Sequence, residues 1–311
     1  MAAVDQPSRL VLTGPSGWIG RSLLDRLARE HGAELGVRVT AFGSSARRLT
    51  LASGAALEVR PLATITPADV EGAHLVHLAY LTKEKAEQLG ERAFTDANLA
   101  IDDAVLGAMA TARPASLFVA SSGAARLAEQ GIDRHPYGLA KLRQEARFLE
   151  AAQRSDVPAL IGRIFNLAGP NINKRGSYAI SNFAMQAQQT RRIRIAARVP
   201  VFRSYLAIDD LCSLVLGAAR CGLSYLQSID LCGSEVVEMD DLAKAVAQAC
   251  GGGIAIERDP IDWSYPSVYL GYFPETKVVG MQLGLQFASF GEQVATTCRW
   301  LREAVLAPVG D

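Results

Sequence analysis

Cysteine is scarce: five of 311 residues, with no CxxC pair. Cys212, Cys221, Cys232, Cys250 and Cys298 all lie in the C-terminal third, and their number is odd. That gives no basis for a disulfide framework or a structural zinc, and reads as reduced core thiols of a cytoplasmic protein. Neither charge sign dominates, since Lys+Arg and Asp+Glu are 32 each. A global electrostatic grip on nucleic acid or anionic membrane is therefore not expected. No apolar run approaches the roughly 20 residues of a membrane span. The opening MAAVDQPSRLVLTG lacks a basic start followed by an apolar stretch, so no secretory leader is expected. Histidines number four. His74 and His77, three apart in or beside a strand, point to opposite faces and make a poor metal pair, so no metal site is expected. Trp18 and Trp263 read as packing residues rather than stacking platforms.

What is present suits a folded protein. Hydrophobic residues make up 49% and charged residues 21%, enough for a core and against disorder. The length fits about two domains. Short apolar runs alternate with helical segments in the first half. Strands are expected at Arg9-Leu12, Val37-Phe42, Ala56-Val59, Leu75-Ala79, Leu117-Ala120 and Ala159-Phe165. Helices are expected at about Gly17 to Glu30, Ala93 to Ala112 and Tyr137 to Gln153. Strands separated by helices imply right-handed crossovers and a doubly wound parallel α/β sheet of Rossmann type.

The rhythm breaks after Gly169-Pro170. A polar loop, a helix from about Ser181 to Thr190, a strand candidate RRIRI, and helices Asp209 to Cys221 and Asp240 to Cys250 follow. Gly251-Gly253 is a plausible stop for the last. We read residues 1–170 as one domain built on this sheet. Residues 171–311 form mainly a smaller α/β lobe, with about 204–222 returning to the large domain.

Three patterns carry chemistry. The first is Thr13-Gly14-Pro15-Ser16-Gly17-Trp18-Ile19-Gly20, where a strand feeds a helix. Gly14 suits the tight turn, Gly17 the approach of a pyrophosphate, and Gly20 close packing of helix on sheet. The N–H groups and dipole of the helix start favour the phosphates. The end of the second strand, Phe42-Gly43-Ser44-Ser45-Ala46-Arg47-Arg48, holds no acid to bond a ribose 2′-hydroxyl. Ser44, Ser45 and Arg47 instead suit a 2′-phosphate, so NADP is favoured over NAD.

The second pattern is Tyr137-Gly138-Leu139-Ala140-Lys141. Spacing i, i+4 puts Tyr137 and Lys141 on one helical face. A tyrosine is a poor acid–base catalyst near pH 7, but a neighbouring ammonium stabilises its phenolate. The pair suits proton exchange with a carbonyl or alcohol oxygen. The third pattern, Val119-Ala120-Ser121-Ser122-Gly123, ends a strand with hydroxyls that could bond the reacting oxygen.

Together these residues resemble the extended short-chain dehydrogenase/reductase family, in its NAD(P)-dependent epimerase/dehydratase branch. Glycine motif, Ser, Tyr and Lys stand in the family's order. Leu78-Ala79, with Tyr80 following, matches its strand-four motif beside the cofactor, and Asn98 its Asn in the next helix. The segments Gly162–Pro170 and Arg203–Asp210 resemble its Arg-x-x-Asn-x-x-Gly-Pro and Arg-Asp-Phe-x-x-Val-Asp-Asp motifs. The resemblance covers nearly the whole chain. It implies that Tyr137 is the acid/base, that Lys141 tunes it and bonds the nicotinamide ribose, and that Ser122 (less readily Ser121) orients the substrate oxygen. It also implies a nucleotide-diphosphate sugar in the smaller lobe, with Arg203, and more weakly Arg258, on the diphosphate. Asn166 and Asn182 are candidates for phosphates or sugar. A homodimer through the helices near Ala93-Ala112 and Tyr137-Gln153 is implied as well.

Departures narrow this. Gly123-Ala124-Ala125 stands where dehydratase members carry Thr-Asp-Glu, which argues against a 4,6-dehydratase. The span from Ser122 to Tyr137 is short, so the substrate-facing loop reads as trimmed. Pro61-Leu62 replaces an Asp that often contacts adenine. The reading is an NADP-dependent ketoreductase, or secondly an epimerase, of a nucleotide sugar. A reductase of a small non-nucleotide ketone or aldehyde and a non-catalytic NADP-binding sensor or scaffold remain as alternatives.

Overall fold

The computed structural model describes residues 9–306. The chain divides into two compact units. The first comprises residues up to Arg163 together with Cys212–Ile229, and the second Ile164–Leu211 together with residues from Asp230 onward.

In chain order the first unit starts with β1 (Leu10–Thr13), α1 (Trp18–His31), α2 (Leu35–Arg38), β2 (Val39–Gly43), β3 (Arg47–Thr50) and β4 (Ala56–Pro61). It continues with α3 (Pro67–Val70), β5 (His74–His77), α4 (Lys83–Leu89), α5 (Glu91–Met109), β6 (Ser116–Ser122), α6 (Gly123–Glu129), α7 (Pro136–Arg154) and β7 (Ala159–Ile164). The sheet runs β3-β4-β2-β1-β5-β6-β7 and ends on β11 (Ile229–Leu231), whose first residue belongs to this unit. The pairings from β4 through β2, β1 and β5 to β6 are parallel. This is the Rossmann-type doubly wound arrangement expected from alternating strands and helices. All four residues of β1 are buried, as are six of the seven in β6, as a sheet covered on both faces requires. Phe42, Leu75, Val105, Leu117, Phe148 and Ile161 interlock in one core cluster.

Two stretches of this unit depart from expectation. Arg47 and Arg48 do not end the second strand but stand on β3, an antiparallel edge strand paired with β4. Arg48 faces Glu58 across that pair, 3.9 Å away, and charge on an edge strand opposes unwanted strand addition. The stretch after Ser122, read as a loop, opens with helix α6. Ser122 caps it by accepting from the Ala124 N–H at 3.2 Å, and its Ala-rich sequence favours the helix.

The second unit holds β8 (Asn166–Ala168), α8 (Ala179–Thr190), β9 (Arg192–Ile195) and β10 (Val201–Ala207). α9 (Ile208–Cys221) runs from it into the first unit. After β11 come β12 (Val236–Glu238), α10 (Met239–Ala249), β13 (Ala255–Arg258), β14 (Ser267–Tyr269), α11 (Phe273–Gln282) and α12 (Phe290–Leu306). β10 pairs with β12, β14 and β8, and β9 with β13. Ile180, Ala184, Ile193, Leu242, Val246 and Leu301 build its core. Trp263 is not a packing residue: it is 68% exposed, because the loop around it, with Tyr265, lies on the surface. No helix among the described residues is long and apolar enough to cross a membrane.

Candidate active site

Two glycines of the β1–α1 turn, Gly14 and Gly20, leave no room for a side chain. Gly14 has φ +72°, and a Cβ there would stand 2.8 Å from the Ala79 N. A Cβ on Gly20 would stand 2.3 Å from the Gly14 O. At Gly17 a Cβ would meet only the Gly14 O, at 3.6 Å, so the approach to the backbone there is open. Helix α1 begins on Gly17 with no side-chain cap and no acid in its first turn. Its leading N–H groups and positive end are thus offered outward.

A groove of about 360 Å³ lies against this turn. Gly14, Ser16, Ser44, Arg47, Ala79 and Tyr80 border it, with Leu62 and Ala63 supplying apolar surface. Arg47 is exposed and donates to the Ser16 hydroxyl at 2.8 Å. No carboxylate pairs with Arg47 among the described residues. The donor set, the positive charge and the open glycine backbone fit a dinucleotide. Asn98 acts behind the groove: it accepts from the Leu81 N–H at 2.8 Å and donates to the Phe94 carbonyl at 3.1 Å. Trp18 is buried, and neither it nor Ile19 borders the groove.

Ser122 ends β6, and Tyr137 and Lys141 stand on α7, which Lys141 ties back to β6 at Ala120. Pro136 opens α7, and His135 caps it by accepting from the Tyr137 N–H at 3.1 Å. Gly138 lets α6 approach α7, since a Cβ there would stand 2.6 Å from the Ala124 carbonyl oxygen. Lys141 is buried and donates to the Ala120 carbonyl at 2.6 Å and the Gln144 side-chain oxygen at 2.9 Å. Burial lowers its pKa to about 7, against the opposing pull of Asp102 and Glu145. Tyr80 covers it, with the ammonium 3.7 Å from the ring centre. The same ring meets Tyr137 edge-on at 6.3 Å. Burial raises the Tyr80 hydroxyl's own pKa, so this ring stays neutral.

Ser121 is committed elsewhere. Its hydroxyl donates to Glu145, which is gripped by Arg163 at 2.7 Å. Ser122 is the half-buried hydroxyl at the strand end.

Sequence reasoning missed a buried polar chain beneath Lys141. Gln144 donates to Asp102 at 2.7 Å, Asp102 meets the His77 ring at 3.4 Å, and His77 meets the Thr13 hydroxyl at 2.8 Å. Thr13 in turn accepts from the Leu78 and Ala79 N–H groups at 3.0 and 3.1 Å. The glycine turn and the Tyr–Lys helix are thus joined through side chains. Polar residues at inward strand and helix positions were the signal, readable only once the four elements were aligned.

In the second unit Arg203 on β10 is half-buried and donates to the carbonyls of Phe202 and Ser267 and to the Ser267 hydroxyl. Among the described residues no carboxylate pairs with it, and burial lowers its pKa. Arg258 differs: both ends of its guanidinium grip Glu238 at 2.7 and 2.9 Å, and it also donates to the Ala197 and Val199 carbonyls. Asn166 donates to the Ser204 carbonyl and Asn182 to that of Gly176. Among the described residues no cluster of three or more metal-ligating side chains occurs.

Similar folds are well represented among solved structures. An NAD-dependent NDP-hexosamine 5,6-dehydratase, TunA, involved in tunicamycin biosynthesis, is 15% identical with a TM-score of 0.74, over 95% of this chain and 98% of that one. The UDP-glucose 4-epimerase of Thermotoga maritima, solved with UDP-glucose, is 17% identical with a TM-score of 0.73, over 96% and 99%. RMD from Pseudomonas aeruginosa, complexed with NADPH, is 18% identical with a TM-score of 0.70, over 96% and 100%. No curated protein sequence matches. The model of the NAD dependent epimerase/dehydratase family matches residues 10–224. With the glycine turn, the groove and the Tyr–Lys pair in one unit, the chain belongs to the NAD dependent epimerase/dehydratase family, and so to the NAD(P)-dependent enzymes of short-chain dehydrogenase/reductase type.

Proposed function

We propose that this protein is an NADP-dependent ketoreductase acting on a carbonyl/alcohol centre of a nucleotide-diphosphate sugar. The observation that carries this reading is Tyr80. It borders the groove beside the glycine turn and touches both Lys141 and Tyr137, so groove and proton-transfer pair form one site.

In this reading Gly14, Ser16, Gly17 and the start of α1 hold the pyrophosphate. Ser44, Ser45 and Arg47 receive the 2′-phosphate, which an acid would repel. The bound nicotinamide supplies or accepts the hydride. Tyr137 passes a proton to or from the substrate oxygen, and Ser122 donates a hydrogen bond to that oxygen. Lys141, where protonated, lowers the cost of the Tyr137 phenolate. Leaving Ala120 and Gln144, its ammonium could serve the ribose.

Arg203 is our choice for the substrate's diphosphate, because a half-buried guanidinium without a carboxylate suits an incoming anion. Asn166 and Asn182 stand as further polar contacts in the same unit. Arg258 we assign instead to holding β12 and β13 together through Glu238. The solved epimerase with UDP-glucose supports the substrate class by analogy of fold. Reduction is preferred to epimerisation because Arg47 favours NADP, the usual reductant. A homodimer through α5 and α7 and a cytoplasmic location complete the reading. Sedimentation at micromolar concentration tests the dimer; a monomer removes it.

The test is NADPH oxidation with a panel of nucleotide-linked 4-keto sugars. Turnover by the native chain and none by Tyr137→Phe supports the proposal. Turnover only with small ketones selects the alternative substrate class, and tight NADPH binding without any turnover selects the sensor.

A further inference from the structure

Five cysteines scattered through a C-terminal third read from sequence as inert core thiols. Two of them are neighbours in space. Cys250 closes α10, and Cys298 lies in α12. Both touch the same side chain, Gln188. Both line a cavity of about 330 Å³, with Gln188, Arg191 and Arg302 in the same wall. Cys250 is half-buried, whereas Cys298 is buried. Gln188 spans the pair, donating to the Cys298 carbonyl at 2.9 Å and approaching the Cys250 sulfur at 4.0 Å.

From this geometry we infer that Cys250 and Cys298 form an oxidant-sensitive dithiol, with Cys250 the attacking thiol and Cys298 the resolving one. The co-reactant is a peroxide. The Cys250 thiolate attacks one peroxide oxygen, the O–O bond breaks, and the departing hydroxide takes a proton to leave as water. Cys250 is then a sulfenic acid. The Cys298 sulfur attacks the Cys250 sulfur, the S–O bond breaks, and a second water leaves with the Cys298 proton. Two thiols and one hydrogen peroxide become one disulfide and two waters.

Three features favour these roles. The neighbouring Cys298 thiol first, then Gln188 and the charges of Arg302 and Arg191, hold the Cys250 thiol below its ordinary value. Cys298 is pushed the other way, first by the neighbouring Cys250 and then by burial. Thirdly, Cys250 precedes Gly251, Gly252 and Gly253, all with positive φ, of +94°, +68° and +60°. Such a backbone gives Cys250 the freedom to bring its sulfur onto that of Cys298.

Exposed Cys221 serves as an internal control. The native chain would be treated with hydrogen peroxide, alkylated, digested and mapped by mass spectrometry. We expect a Cys250–Cys298 disulfide, two hydrogens lighter, that dithiothreitol reverses. In Cys298→Ser, dimedone should trap a sulfenic acid on Cys250 at least about tenfold faster than on Cys221. Arg302→Met should slow that trapping several-fold at pH 7. In Cys250→Ser, Cys298 should stay unmodified. Trapping of Cys250 no faster than of Cys221 would overturn the proposal. So would a native chain in which Cys250 sulfenic acid accumulates with no disulfide to Cys298.

Discussion

The Lys141 ammonium sits 3.7 Å from the centre of the Tyr80 ring, sealed between that ring and the Ala120 carbonyl. A charged group so placed has given up most of its water. Stability should then depend on pH. Lys141 has a pKa of about 7 in the folded chain and returns to the ordinary 10.5 on unfolding. Between those values the unfolded chain binds more protons. Stability therefore rises with pH across that window, by up to about 1.4 kcal/mol per pH unit for this one group. Denaturant titrations at pH 7 to 10 measure the slope. Lys141→Met should flatten it; an unchanged slope would place its origin elsewhere.

Tyr137→Phe keeps the ring and removes the hydroxyl. The edge contact with Tyr80 survives, and so does the α7 cap at His135. Cofactor affinity should stay within about twofold by fluorescence titration. Turnover should fall by about 10³-fold or more, in the range of a lost general acid. Full activity would remove Tyr137 from the chemistry.

Arg47 carries the proposed choice of cofactor. Its guanidinium now rests on Ser16, a neutral partner that a phosphate would outcompete. Arg47→Leu should raise the KM for NADPH by about tenfold to a hundredfold, the loss of a charged hydrogen bond. The KM for NADH should barely move. Equal effects on both would assign Arg47 to the edge strand alone.

The Glu238–Arg258 pair is a structural prediction. Hydrogen bonds from Arg258, Asp240 and Val201 outweigh desolvation, which acts in the opposite direction, and hold Glu238 at about 2. A carboxylate depressed in the folded state stabilises above its ordinary value of 4.5, and that contribution is lost as pH falls towards 2. Glu238→Gln should cost about 2 kcal/mol at pH 7 and about 1 kcal/mol at pH 3. Thermal denaturation at both values checks it.

How much was legible in the sequence follows from the range of each interaction. The Gly14–Gly20 turn and the Tyr137/Lys141 spacing are local, and they stand where a strand meets a helix and on one helix, α7. The parallel sheet followed from alternating runs. Edge strand β3 was hidden because four residues, Arg47–Thr50, show little apolar alternation and owe their form to β4. Helix α6 was hidden because its start depends on the Ser122 cap more than on an apolar face. The chain from Thr13 through His77, Asp102 and Gln144 joins four elements, so no window of sequence contains it. The pairing of Arg258 with Glu238, 20 residues apart, was equally invisible.

The central claim is tested most directly by a thermal shift of NADPH-saturated protein with UDP, dTDP, GDP and CDP. A ligand at a hundred times its Kd stabilises by about 2.7 kcal/mol, which raises the midpoint by several degrees. The account predicts such a shift with one nucleoside diphosphate, abolished in Arg203→Met. No shift with any of the four would contradict it and return Arg203 to a purely structural role on β10.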